Sequence, residues 1–279
     1  MKRFISTICI YVFAVLLVIV PPELYKIVTN ADLENVEGGE VRVAVKKSKT
    51  RTNRRIKKLI LGDSTGHALY PSENTYDSIV SLACNQAITM AGQFFLLKNY
   101  LETNKDNLPT EIILLFTPGT FDNDVDIFAY HYFLKPFPLY EYKSLYTPHL
   151  NDRIKSIPFY WTANLPFIQT TNYTPSIAVP TEVERQSISE LSLEYLLKID
   201  SLTKQYGVPY SIRSTPVRDD RKSRVEDILQ DLLNISDPGI TEKMREYVQS
   251  VEYYPSELFF DDVHLSSPNI PADYLEEVE

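Results

Sequence analysis

Two short stretches of this chain hold residue types that can do nucleophilic chemistry. Gly62-Asp63-Ser64 follows the apolar run Leu59-Ile60-Leu61, and Asp261-Asp262-Val263-His264 follows Leu258-Phe259-Phe260. A serine hydroxyl is a weak nucleophile until a base takes its proton. His264 can supply that base. Asp261, three residues earlier, is spaced to reach the ring's other nitrogen within a short loop and to stabilise the imidazolium that forms. Asp262 is the alternative orienter. A serine that opens a helix directly after a strand gains further, because the positive helix end favours a developing negative charge. Either stretch alone is an ordinary turn signal. Their weight comes from joint placement, one after the first strand of a domain and one near the chain's end.

The other candidate residues read more plainly. His67 lies three residues after Ser64 and reads as a solvent-facing or capping histidine. His131 and His149 have no acidic partner at metal-ligand spacing, so no metal is assigned. Asp122, Asp124 and Asp126 alternate as in a calcium loop, but the following glycine and the Glu at position twelve are missing. Cys9 and Cys84 are too few for a disulfide scaffold or a thiolate-rich metal site. No cofactor is expected.

The elements that must position Ser64 and His264 follow from periodicity. Short apolar strands are predicted at 59–61, 79–84, 111–116 and 208–215, with a last apolar segment at 258–260. Helices are predicted at 88–100, 188–206, 225–233 and 241–251, with Gly207 ending the second. Continuous apolar strands alternating with helices imply a mostly parallel sheet covered on both faces. Ligands of such sheets bind beyond the carboxyl ends of the strands, where both stretches fall.

Three regions flank or interrupt this α/β pattern. Residues 1–22 read as a cytoplasmic tip and a membrane anchor. Phe4 to Val20 is an uncharged run of 17 residues, at the short end of a bilayer span, and Lys2 and Arg3 keep the N-terminus inside. No small-residue cleavage pattern follows the run, so it reads as uncleaved. Residues 23–56 read as a stalk that ends in the basic run from Arg42 to Lys58. An insertion at about 128–175 is rich in Tyr, Phe and Pro; it could line a cleft for sugar rings, but its aromatics read more readily as packing. The α/β domain itself is placed at 57–279.

Charge narrows the partners. Of the 28 Lys and Arg, 12 lie in residues 1–58, as do 5 of the 37 Asp and Glu; residues 59–279 therefore carry 16 basic against 32 acidic side chains, a net of −16. Nucleic acid is excluded as a partner, since its binding depends on neutralising phosphates. A strongly anionic substrate would need a local basic patch.

At Gly62-Asp63-Ser64 and Asp261-x-x-His264 the sequence resembles the SGNH, or GDSL-type, hydrolase superfamily, whose first block is Gly-Asp-Ser after the first strand and whose last is Asp-x-x-His near the C-terminus. The resemblance covers about residues 57–270. It implies a three-layer α/β/α domain of flavodoxin-like type and ester chemistry, with Ser64 as nucleophile, His264 as base and Asp261 as orienter. The middle blocks depart from the family pattern. Asn85-Gln86-Ala87 stands where the family has Asn-x-Gly, and the segment from Thr117 to Asp124 holds Gly119 and Asn123 at a different spacing from the family's Gly-x-Asn-Asp. The oxyanion donors to test are the Ser64 amide, Asn85, Ala87 and Asn123.

The anchored layout is also similar to outward-facing SGNH-like proteins of bacterial envelope polysaccharide pathways. Those proteins transfer or remove acyl groups, commonly acetyl, on sugar hydroxyls, some beside a multi-pass membrane acyltransferase. The expectation is a serine esterase or O-acetyltransferase of cell-envelope or extracellular carbohydrate, single-pass in the bacterial inner membrane and facing the periplasm or exterior. The alternative is a non-catalytic binding or scaffolding module of a polysaccharide assembly complex, motivated by Ala87 and the third block. Hydrolysis and transfer share the acyl-enzyme step, so both stay open.

Overall fold

The apolar strands of the sequence form one small parallel sheet in the computed structural model, which describes residues 2–29, 39–125, 130–157, 160–164 and 187–266. The strands are β1 (Lys58–Gly62), β2 (Ile79–Ser81), β3 (Glu111–Phe116) and β4 (Tyr210–Ser214), in the order β2-β1-β3-β4. Every pairing is parallel. β2 is shorter than expected, although the Leu82 and Cys84 amides still donate to the Ile60 and Gly62 carbonyls. The two-residue strands β5 (Val217–Arg218) and β6 (Tyr253–Tyr254) form a separate parallel pair.

Alternate side chains of each strand go to opposite faces. Leu59, Leu61, Ile112, Leu114 and Phe116 enter the main core, shared with α2 (Gly39–Ser48), α4 (Thr89–Thr103), α7 (Glu190–Tyr206) and α9 (Pro238–Gln249). Ile60, Ile113 and Leu115 meet a smaller cluster with Leu69 and Tyr70, at the end of α3 (Ser64–Leu69). One face is thus thickly covered and the other thinly, among the described residues. α4 is buried on nearly all sides because it touches the sheet, α2 and α7.

Helix ends fall where capping chemistry puts them. The Ser189 hydroxyl accepts from the Ser192 amide and Asp237 from the Ile240 amide, so α7 and α9 start there. Gly207, at φ 67°, closes α7 in the left-handed region.

The described structure changes two expectations, agrees with a third and leaves a fourth without support. Residues 39–57 are not a stalk: α2 packs on α4, Val41 and Ala44 are fully buried, and Lys47 donates to the Ser72 and Asn74 carbonyls. The segment 258–260 is not a ladder strand; Phe259 makes an isolated antiparallel bridge to Leu265. The described part of the aromatic insertion, including α5 (Leu139–Tyr142) and α6 (Pro148–Ser156), adds to the core as the packing reading expected, although Tyr140 and Trp161 stay exposed. Phe133, Phe137, Tyr142 and Tyr146 surround Phe95 of α4 at centroid distances of 5.1–5.9 Å, while Phe167 lies outside the described residues. Finally, α1 (Lys2–Thr29) is a 28-residue helix. Among the described residues no helix is long and apolar enough to cross a membrane, so the structure does not establish the expected anchor.

Candidate active site

β1 lies between β2 and β3, and the chain runs from β1 to β2 on one side and then crosses to β3 on the other. The crevice beyond the carboxyl ends of β1 and β3 is therefore the topological switch point of the sheet, where ligands of such folds bind. Ser64 and Thr117 each lie two or fewer residues past those ends.

Asp63 builds the serine's half of the site. Its carboxylate is fully buried and accepts five hydrogen bonds. Oδ1 takes the Thr65 and Gly66 amides at 2.9 and 3.0 Å and the Thr65 hydroxyl at 2.5 Å. Oδ2 takes the Thr117 amide at 2.7 Å and the Thr120 hydroxyl at 2.5 Å. Asp63 is thus the N-cap of α3 and the tie between α3 and the loop after β3. Thr65 continues the network to Thr215, at the end of β4, at 2.9 Å. Gly66 allows this closeness, since a Cβ there would lie 2.7 Å from the Leu115 carbonyl oxygen. Ser64, the first residue of α3, stays partly exposed at the rim.

The histidine's half is a surface hairpin. The Phe260 amide donates to the His264 carbonyl at 3.0 Å, and Ser266 bonds back to Leu258. Inside the turn, Asp261 Oδ1 accepts the Val263 and His264 amides at 2.8 and 2.7 Å, and Asp261 Oδ2 meets His264 Nδ1 at 2.8 Å. Burial alone would raise the Asp261 carboxyl, but those two amides and the His264 ring outweigh it and hold it below the ordinary carboxylate range. The Phe260 ring stacks on His264 at 5.3 Å. Asp262 turns away to Arg218 and Arg221 at 2.9 and 2.7 Å. Asp261, and not Asp262, therefore contacts the imidazole.

The two halves meet at a small crevice lined by Thr65, Ala68 and Leu69 of α3, by Thr215 and Pro216, and by Val263, His264 and Leu265. Among the described residues the Ser64 hydroxyl makes no hydrogen bond to His264. A free enzyme can hold such a pair apart until substrate binds. Pro216 and Val263 also line a larger cleft of about 260 Å³, together with Thr117, Gly119, Gln86, Asn123 and three arginines.

The oxyanion candidates are placed less favourably. The Ala87 amide donates to Asn85 Oδ1 at 2.9 Å, so it is already engaged. Asn123 Nδ2 reaches the Gln86 carbonyl at 3.4 Å. Gly92 serves packing, because the Ile88 side chain fills its Cβ position. Thr89, the first residue of α4, has φ 55° and ψ 178°, a conformation that costs a non-glycine residue about 1–3 kcal/mol.

The remaining histidines lie elsewhere. His67 Nε2 pairs with Glu73 at 2.8 Å. His149 has acidic neighbours that sequence spacing did not reveal, Asp124 and Glu190, each at 3.5 Å. Among the described residues no group of three or more His, Cys, Asp or Glu could hold a metal ion. Sequence reasoning missed the buried role of Asp63, its threonine and glycine partners, and the arginine cluster. The spacing of Arg218, Arg221 and Arg224 at intervals of three was the available signal for the last.

No family model and no curated protein matches the chain. Among solved structures it is similar to "a putative platelet activating factor from Streptococcus pneumonia", at 15% identity and a TM-score of 0.38, over 92% of this chain and 98% of that one.

Proposed function

We propose that this protein is a serine-dependent esterase or O-acyltransferase acting on carbohydrate of the cell envelope or exterior, in an SGNH-like domain of flavodoxin-like order. The observation that carries the proposal is the Asp261–His264 contact at 2.8 Å, presented across a crevice from the helix that Ser64 opens. The strand order β2-β1-β3-β4 matches a flavodoxin-like sheet without its fifth strand. Ser64 Oγ attacks the acyl carbonyl while His264 Nε2 takes the hydroxyl proton. Asp261 holds Nδ1 and stabilises the imidazolium. The carbonyl oxygen becomes the oxyanion, and the Ser64 amide is its proposed donor. Collapse expels the alcohol, protonated by His264. The acyl-serine then passes its acyl group to water or to a sugar hydroxyl, activated by the same ring.

The proposal includes membrane attachment, with the domain on the periplasmic or outer side of a bacterial inner membrane and a multi-pass acyltransferase as a partner. Along α1, the described side chains from Phe4 to Leu17 are all exposed and none is charged. A face that apolar requires a non-aqueous or protein partner.

The test is labelling of the full chain by a fluorophosphonate, located by peptide mass spectrometry. Ser64 should be labelled, and Ser64→Ala and His264→Ala should abolish labelling. A folded chain without label at Ser64 sinks the enzyme assignment. It would favour the second reading, a non-catalytic binding module, for which the engaged Ala87 amide and the unformed Ser64–His264 bond already speak.

A further inference from the structure

The domain after residue 58 is strongly acidic, yet four of its 16 basic residues, Arg218, Arg221, Lys222 and Arg224, fall within seven positions. Three of them line the 260 Å³ cleft, against two carboxylates there, Asp122 and Asp262. With Asp220 also pairing Arg218, the cleft is a guanidinium-rich site near charge balance in a negative domain, where an anion exchanges with the carboxylates already paired there. It adjoins the crevice that holds His264, the two sharing Pro216 and Val263 in their walls.

The three arginines are not equivalent. Arg218 is committed: it grips Asp220 with two nitrogens at 3.0 and 2.6 Å and holds Asp262 and the Asp261 carbonyl with a third. Its work is to fix the hairpin. Arg221 pairs with the rim carboxylate of Asp262, which is 68% exposed. Arg224 reaches Asp122 at 3.5 Å. A Cβ on Gly119 would lie 3.3 Å from Arg224 Nη1, so the glycine leaves that guanidinium uncovered from the β3 side. Planar guanidinium forks recognise carboxylate and phosphate in pairs of hydrogen bonds. Gln86 and Asn123 add neutral groups for hydroxyls at the same rim.

We propose that this cleft binds an anionic group, a carboxylate or a phosphate, carried by the carbohydrate whose acyl ester lies at Ser64, with Arg221 and Arg224 as its ligands. The assignment rests on the acyl chemistry proposed above and narrows its substrate class. An incoming anion displaces Asp262 from Arg221, so affinity is modest and falls with salt.

Binding can be measured without chemistry. Full-length Ser64→Ala protein in detergent is titrated calorimetrically with trigalacturonate, galactose 6-phosphate and neutral galactotriose. At least one anionic probe should bind about tenfold or more tightly than the neutral sugar; which one does so identifies carboxylate or phosphate. Arg221→Gln and Arg224→Gln should each weaken that binding about tenfold, with circular dichroism unchanged. Arg245→Gln, on α9 outside the cleft, should not. Equal binding of the neutral sugar, no binding of either anion, or anion binding indifferent to both arginine changes overturns the assignment. Ser64 labelling by the neutral fluorophosphonate is read separately: labelling without anion preference sinks only the subsite, and anion preference without labelling sinks only the chemistry.

Discussion

Replacing Asp63 with Asn tests how the serine is held. The carboxylate accepts five hydrogen bonds, three on Oδ1 and two on Oδ2. An amide can present only one oxygen. Turned with its NH₂ toward Oδ1, it strands the Thr65 and Gly66 amides. Turned the other way, it strands one, the Thr117 amide, while the Thr120 hydroxyl can rotate to accept. The second orientation is cheaper and still leaves a buried N–H facing an N–H, at about 1–3 kcal/mol. The loss of charge from the surviving bonds adds a similar amount. The total is about 2–6 kcal/mol, a large share of a domain's stability. For a domain of this size that lowers Tm by about 4–24 °C, measured by circular dichroism. The same change frees the start of α3 from the loop after β3, so fluorophosphonate labelling at Ser64 should slow as well. A variant that melts within about 2 °C of the native chain and labels at the native rate refutes this account of the site.

Gly66→Ala should destabilise by about 1–3 kcal/mol, because its new methyl meets the Leu115 carbonyl backbone, which cannot step aside; chemical denaturation reads the loss. A chain truncated at residue 57 should melt lower and aggregate, because removing α2 uncovers the α4 surface on which Val41 and Ala44 pack; light scattering and thermal melts check this. Burial, with the Arg54 charge second, pushes the Lys47 ammonium down to about 8. The unfolded chain then holds more protons than the folded one between about pH 8 and 10.5, so this group's contribution should rise with pH across that window; Lys47→Met should remove that rise in a Tm series. Asp261, held low, contributes stability that is present above its ordinary range and lost as pH falls through its lowered folded value; Asp261→Asn should flatten that acid limb and slow labelling of Ser64.

Much of the sheet was legible because buried parallel strands are uninterrupted apolar runs. Glu111–Phe116 was read to its observed bounds, and α7 within two residues. What failed was decided by partners distant in the chain. Arg42 to Ser48 looks like a solvated basic run, but Val41 and Ala44 sit on one side of a helix whose burial depends on α4, some fifty residues away. Leu258–Phe260 has strand composition, yet Pro255 and the Asp261 turn leave room for a single bridge. Ser64, Asp261 and His264 were singled out by residue type, spacing and the family resemblance, and the structure adds the Asp261–His264 contact. Asp63 was seen only as a turn residue, since its other donors, Thr117 and Thr120, come from the loop after β3. The choice between Asp261 and Asp262 needed Arg218 and Arg221, whose pull on Asp262 no local spacing encodes.

Among the described residues the Arg218 and Arg221 pairs tie the hairpin that carries His264 to the body, its Phe259–Leu265 bridge being internal, whereas Ser64 follows directly on Asp63, the centre of the buried hydrogen-bond network. Regions of low buried contact open in local steps far cheaper than global unfolding. Amide protons at 258–266 should therefore exchange well before those of β1 and β3. The base of the proposed reaction would then come and go on a clock independent of the fold, and a molecule could be fully native by every spectroscopic criterion while catalytically absent. Turnover would track the closed fraction of a nine-residue segment, and whatever steadies Arg221 would set its pace.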